Sequence, residues 1–289
     1  MPFITVGKEN SGKIDLFYED HGTGKPLILI HGWPLSGRSW EKQVPALLDA
    51  GYRVVAYDRR GFGDSSKPTS GYDYDTLSKD LHALITKLNL RDITLVGFSM
   101  GGGEVARYLG NHGSARVKRA VFIAAIPPFL LKTPENPEGV DGGVFEGIKK
   151  ALGEDRPAFL SQFLENFYNA DIFRGKQISE QVIQLSWNIA AGASPTGTLA
   201  CVSAWLEDFR KDLKGIDVPT LVIHGDADRI LPLSATGRRT PEFVKNSQLV
   251  VVPGGPHGLT WTHADAVNRA LLEFLAQEKP ARKAARAGK

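Results

Sequence analysis

Six short runs in this chain are almost wholly apolar and rich in β-branched residues: Pro26–Ile30, Arg53–Tyr57, Ile93–Val96, Ala120–Ala124, Thr220–Ile223 and Leu249–Val252. A strand with one wet face alternates apolar and polar side chains. Unbroken apolar runs of this length therefore predict strands covered on both faces. Longer stretches with helical spacing, such as Tyr74–Leu88 and Gly102–His112, lie between them. That alternation predicts an α/β fold with a mostly parallel central sheet flanked by helices. An earlier pair of runs, Phe3–Val6 and Ile14–Asp20, reads as an antiparallel hairpin around Glu9–Gly12 at the sheet edge.

The rhythm stops between Pro127 and Asp217, where no comparable buried strand occurs. Four prolines (Pro127, Pro128, Pro134 and Pro137) open this stretch. Helix-like segments around Val144–Leu152, Ala158–Phe167, Ser179–Ala191 and Pro195–Lys211 follow, rich in Phe, Leu and Trp. A helical insertion between two strands of one sheet predicts a lid over one end of it. The predicted organisation is a core of residues 1–126 and 218–278, a helical cap of residues 127–217, and a basic tail of residues 279–289.

Charge adds little to this division. The net charge is +3, and five of the positive charges, Lys279, Arg282, Lys283, Arg286 and Lys289, lie in the last eleven residues with no acid among them. Subtracting those five leaves −2 for the rest, so no basic patch on the folded body argues for nucleic acid. With 42% apolar and 23% charged residues the chain is not a disordered one. No run approaches the ~18 apolar residues of a membrane helix. The single cysteine, Cys201, excludes an intrachain disulfide and a multi-cysteine metal site. With no signal-peptide apolar region in the first twenty residues, a cytoplasmic location is the expectation.

Chemistry is concentrated at Gly97-Phe98-Ser99-Met100-Gly101, directly after the run Ile93–Val96 and before a helical stretch. A sharp strand-to-helix turn centred on a serine needs small flanking residues, and it lifts the hydroxyl above the strand ends. Ser99 is the candidate nucleophile. A serine at neutral pH needs a base, and of seven histidines His257 is the best placed, in a loop just past the last strand. His31 and His224 also follow strands, but each begins a His-Gly turn where capping backbone is the expected role. His82 and His112 lie on helical stretches, His21 near the hairpin's end, and His263 too far along.

The base needs an orienting carboxylate, and the segment His224-Gly225-Asp226-Ala227-Asp228 offers two. Asp226 lies next to the turn and suits a backbone-capping role. Asp228 projects further towards the following loop and is the candidate acid. The chain order Ser99, Asp228, His257 is that of α/β-hydrolases and differs from the chymotrypsin and subtilisin orders. An oxyanion also needs two backbone donors. The amide of Met100 supplies one, and that of Trp33, in His31-Gly32-Trp33-Pro34 after an early strand, is the natural second. Pro34 has no N–H to offer. The Trp33 ring either walls an acyl pocket or packs in the core.

These segments, with Tyr57-Asp58-Arg59-Arg60-Gly61-Phe62-Gly63-Asp64-Ser65, Gly255-Pro256-His257-Gly258 and Trp261-Thr262-His263-Ala264, together resemble the cofactor-free bacterial haloperoxidase, perhydrolase and arylesterase group of α/β-hydrolases. The resemblance runs over nearly the whole chain and supports Asp228 as the acid. It implies a serine esterase without metal or haem, acting through an acyl-enzyme on small esters, lactones or cyclic amides. Hydrogen peroxide would sometimes replace water, and the resulting peracid would oxidise halide away from the enzyme. It further implies a small-molecule partner, no membrane partner, and the homo-oligomers common in the group. A carbon–carbon bond hydrolase or thioesterase keeps the same triad. A ligand receptor on this scaffold would keep the residues without sustained turnover. An Asp nucleophile, as in dehalogenases and epoxide hydrolases, is excluded by Ser99.

Overall fold

A computed structural model describes residues 2–277. The tail expected at 279–289 lies outside the described residues. Eight strands form one sheet: β1 (Phe3–Glu9), β2 (Gly12–His21), β3 (Pro26–Ile30), β4 (Arg53–Tyr57), β5 (Ile93–Phe98), β6 (Val117–Ile123), β7 (Thr220–Gly225) and β8 (Ser247–Val252). Their order is β1-β2-β4-β3-β5-β6-β7-β8. The pairs β1–β2 and β2–β4 are antiparallel and all the others parallel. The hairpin is longer than its apolar pattern suggested, because ladder pairing continues to Glu9 opposite Gly12 around Asn10 at φ +53°.

Every residue of β5 and β7 is buried, as the unbroken apolar runs require. β8 departs from the expectation. It is an edge strand with several half-buried residues, because no ninth strand shields it among the described residues. Helices α1 (Gln43–Asp49), α2 (Tyr74–Lys87) and α3 (Met100–His112) belong to the first half of the chain. Helix α2 packs on α3, and α3 lies on β5 and β6.

Between β6 and β7 run α4 (Gly142–Tyr168), α5 (Ala170–Phe173), α6 (Glu180–Ala191), α7 (Pro195–Ala204) and α8 (Arg210–Lys214). Helix α4 packs against α6 and α7, whereas α8 packs on α3. The single helical stretch expected over Pro195–Lys211 is two helices. The break falls where Phe209 turns inward, donates its N–H to Pro128 O at 3.0 Å and meets the Tyr74 ring edge-on at 4.8 Å. After β7 come α9 (Thr240–Phe243), α10 (Leu259–Thr262) and α11 (Ala264–Ala276), the last lying on β7 and β8 and against α1.

The chain leaves β3 towards β4 on one side and returns to β5 on the other, so β3 and β5 are neighbours whose following loops diverge. In an open parallel sheet that reversal opens a crevice at the carboxyl ends of the strands. The loops after β3, β5, β7 and β8 surround that end.

Candidate active site

Ser99 is the one residue between β5 and α3, and it has φ +54° and ψ −119°. A non-glycine residue held there costs about 1–3 kcal/mol and persists only where its surroundings over-determine it. The surroundings are explicit. Ser99 N–H donates to Ile123 O at 2.9 Å, and Ser99 O accepts from Gly102 N at 3.0 Å. The turn closes so tightly that a Cβ on Gly97 would stand 2.4 Å from Gly101 O, and one on Gly101 2.3 Å from Ile30 O. Glycine is required at both positions by backbone approaching backbone.

His257, fully buried in the loop between β8 and α10, has Nε2 2.9 Å from Ser99 Oγ and Nδ1 2.7 Å from Asp228 Oδ2. A carboxylate only accepts, so Nδ1 carries the proton and Nε2 is free to accept from the serine hydroxyl. The second oxygen, Asp228 Oδ1, accepts from Ile230 and Leu231 N–H, both at 2.8 Å. Burial pushes the Asp228 carboxyl up, but the facing His257 and His224 imidazoles outweigh it and hold the group well below the usual carboxylate range. Asp226 points elsewhere and accepts from Gly254 N–H at 2.7 Å, which ties the loop after β7 to the loop after β8.

The remaining histidines stand outside the Ser99–His257–Asp228 relay. His31 Nδ1 donates to Gly32 O at 2.8 Å while Nε2 accepts from Arg59 N–H at 3.0 Å, the backbone-capping role expected of it. Burial, then the Arg59 charge, push its pKa well down. His224 Nε2 donates to Leu231 O at 2.9 Å. His82 and His112 stack on one another at 4.2 Å, His21 ends β2, and His263 bonds to Thr262 Oγ1 at 2.8 Å.

The Met100 and Trp33 amides donate to no backbone or side-chain acceptor among the described residues. The adjoining backbone is nevertheless held. Tyr74 Oη donates to Met100 O at 3.0 Å, and Arg59 Nη2 donates to His31 O at 2.7 Å, just before the Trp33 turn. Arg59 in turn pairs with Glu104 of α3, wholly inside the protein. The Trp33 ring is packed in the core and also lines a cavity. Its Nε1 donates to Thr198 O at 3.1 Å, it meets Phe163 and Trp205 edge-on at 5.0 and 4.9 Å, and it lines a cavity of about 220 Å³.

Ser99 stands in the wall of that cavity, built mostly of apolar side chains such as Ile126, Phe145, Phe159 and Leu231. Gln162, Asn166 and Arg229 are its polar lining, with Arg229 paired to Asp171 at 2.7 Å. Two contributions to the site, Phe167 and Gln43, carry no local motif, and a third, Phe98, lies within the serine turn, whose motif implies no role for it. The Phe98 and Phe167 rings lie 5.2 and 5.1 Å from the His257 ring, and Gln43 Nε2 donates to Thr260 O at 2.8 Å beyond it. No group of three or more potential metal ligands occurs among the described residues.

Comparison with known proteins gives concordant results. The family model of the alpha/beta hydrolase fold matches residues 25–264. The chain is 44% identical over 265 residues to the non-heme chloroperoxidase of Kitasatospora aureofaciens, covering 91% of this chain and 96% of that one. It is 36% identical over 265 residues to the bifunctional esterase/perhydrolase of Acinetobacter calcoaceticus, covering 91% and 96%. The crystal structure of a bromoperoxidase from Bacillus anthracis superposes with a TM-score of 0.92 at 52% identity, covering 96% of this chain and 99% of that one.

Proposed function

The chain belongs to the alpha/beta hydrolase fold family, in the group of the non-heme haloperoxidases, and from that premise we propose that it is a serine esterase acting on small esters and lactones through an acyl–Ser99 intermediate, with hydrogen peroxide accepted in place of water. In the first half-reaction His257 Nε2 takes the Ser99 proton as Oγ attacks the carbonyl carbon. Asp228 keeps Nδ1–H in place and stabilises the imidazolium that forms. The Met100 and Trp33 amides receive the oxyanion, each such donor lowering the barrier by about 3–4 kcal/mol. His257 then returns the proton to the departing alcohol. In the second half-reaction water releases the acid, whereas hydrogen peroxide releases a peracid, which oxidises halide in solution.

The observation that carries this reading is the unbroken relay Ser99–His257–Asp228, with contacts of 2.9 and 2.7 Å, in the wall of an apolar cavity of about 220 Å³. The cavity's size and lining favour a compact, uncharged acyl or aryl group. No helix among the described residues is long and apolar enough to cross a membrane, and a small-molecule ester is the proposed partner.

Steady-state hydrolysis of p-nitrophenyl acetate by the wild type and Ser99→Ala tests it. Sustained turnover that falls by up to ~10⁶ in the variant is the expected result. In the same preparations, bromination that needs peroxide together with a short carboxylic acid is expected to vanish in Ser99→Ala. A single stoichiometric burst, or a rate indifferent to Ser99, would overturn the proposal.

A further inference from the structure

The carboxylate that orients His257 faces a second imidazole. His224, the penultimate residue of β7 and paired with Val251 of β8, is fully buried with Nε2 3.3 Å from Asp228 Oδ2. The same nitrogen stands 2.9 Å from Leu231 O. A carbonyl only accepts, so Nε2 carries a hydrogen. On the opposite edge, Nδ1 is buried without a hydrogen-bond partner among the described residues. The Gly237 backbone closes that edge, since a Cβ there would stand 2.5 Å from Nδ1. A second proton on His224 would therefore be a buried donor with nothing to receive it, a geometry that fits the Nε2–H tautomer.

We propose that His224 is a positioning residue for the triad, which pins the Leu231 carbonyl and lays its N–H edge against Asp228 Oδ2. This rests on the reading of Ser99, His257 and Asp228 as a working triad. Two effects follow. Leu231 supplies both the carbonyl that His224 holds and an N–H on Asp228 Oδ1 at 2.8 Å, so fixing Leu231 aims the carboxylate. The N–H edge beside Oδ2 also shares the negative charge that otherwise falls on His257 alone. A carboxylate with fewer donors attracts the His257 proton more strongly and keeps the imidazole protonated to higher pH. His224 thereby extends the range over which Nε2 of His257 is free to act as a base. The titratable groups meeting this carboxylate are His224 and His257.

The test is the pH dependence of kcat/KM for p-nitrophenyl acetate in the wild type, His224→Met and His224→Gln, beside Ser99→Ala. Methionine fills comparable space without a donor, whereas the glutamine amide N–H reaches the same carbonyl. In His224→Met, kcat/KM is expected to fall about tenfold through kcat with KM little changed, and the acid limb to move up by about one pH unit. His224→Gln is expected to restore most of both. Simple loosening of the loop would lower the rate without moving the limb. An unmoved limb, or equal losses in the two variants, would overturn this proposal while Ser99-dependent turnover still upheld the esterase reading. Absence of Ser99-dependent turnover would overturn both. Should His224→Met fail to fold, ¹⁵N NMR of the wild-type histidines decides the matter. His224 is expected to stay neutral with the proton on Nε2 across the active pH range, and protonation of Nδ1 in that range would overturn the proposal.

Discussion

Asp226 and Asp228 are separated by one alanine and do different work because the chain turns between them. Asp226 Oδ1 holds Gly254 N–H, whereas Asp228 Oδ2 holds His257. An asparagine at 226 keeps a carbonyl oxygen for Gly254, so Asp226→Asn is expected to change kcat by less than a factor of about 3. At 228 an amide favours the wrong imidazole tautomer, and Asp228→Asn is expected to lower kcat by about 10⁴. Measuring both variants on p-nitrophenyl acetate decides it, and the reverse ranking would transfer the orienting role to Asp226. The meeting of Ser99, Asp228 and His257, the proposed nucleophile, acid and base, was legible in the sequence because each follows a strand end, with glycine marking the turn. His224 was legible only by half. Its backbone cap is local, but its approach to Asp228 depends on how the next four residues fold back. Phe167 and Gln43 reach His257 or its loop through space, and no spacing along the chain encodes that; Phe98 sits beside Ser99, but its contact with the His257 ring is likewise made through space.

At the scale of elements, apolar runs located the strands, and a polar residue explains the interruption of α4. Helix α4 is kinked at Asp155, whose side chain accepts from Ala158 N–H at 2.9 Å and so caps the second segment, with Pro157 in its first turn. That is why two helical segments, rather than one, were visible there. The return of α4 onto the core was not visible. Its last turn carries Phe167, which is 1% exposed, stacks edge-on to His257 and accepts Gly258 N–H at 2.7 Å through its carbonyl. The helical segment between β6 and β7, proposed as a cap, thus supports the loop that carries His257. Phe167→Ala removes a buried ring from that junction and is expected to cost about 3–5 kcal/mol in urea unfolding. It also frees the His257 ring to tilt, so kcat is expected to fall about tenfold or more with a smaller change in KM. Unchanged kcat in a folded but destabilised variant would make the cap a passive cover over the cavity.

At the scale of the whole molecule, the proposed oxyanion loop after β3 and the helix after β5 that follows the proposed nucleophile must keep register across the crevice between them. A buried ion pair spans that gap. Arg59, just beyond β4, is 1% exposed and pairs with the fully buried Glu104 of α3, while its Nη2 donates to His31 O. The Tyr57 hydroxyl donates to the same carboxylate. Such a pair is weak evidence for net stability, because desolvating two charges offsets most of their attraction, whereas removing one partner strands the other. Glu104→Gln leaves the Arg59 charge uncompensated in the core and is expected to lose about 3–5 kcal/mol in urea unfolding. The double variant Arg59→Met/Glu104→Leu removes both charges and is expected to recover a large part of that loss. It does not recover the bond to His31 O, so the Trp33 turn loses its brace and kcat is expected to stay at least about tenfold low. The comparison separates the two roles. A Glu104→Gln protein as stable as the wild type would deny that the guanidinium is stranded, and a fully active double variant would show that the oxyanion loop holds its place without Arg59.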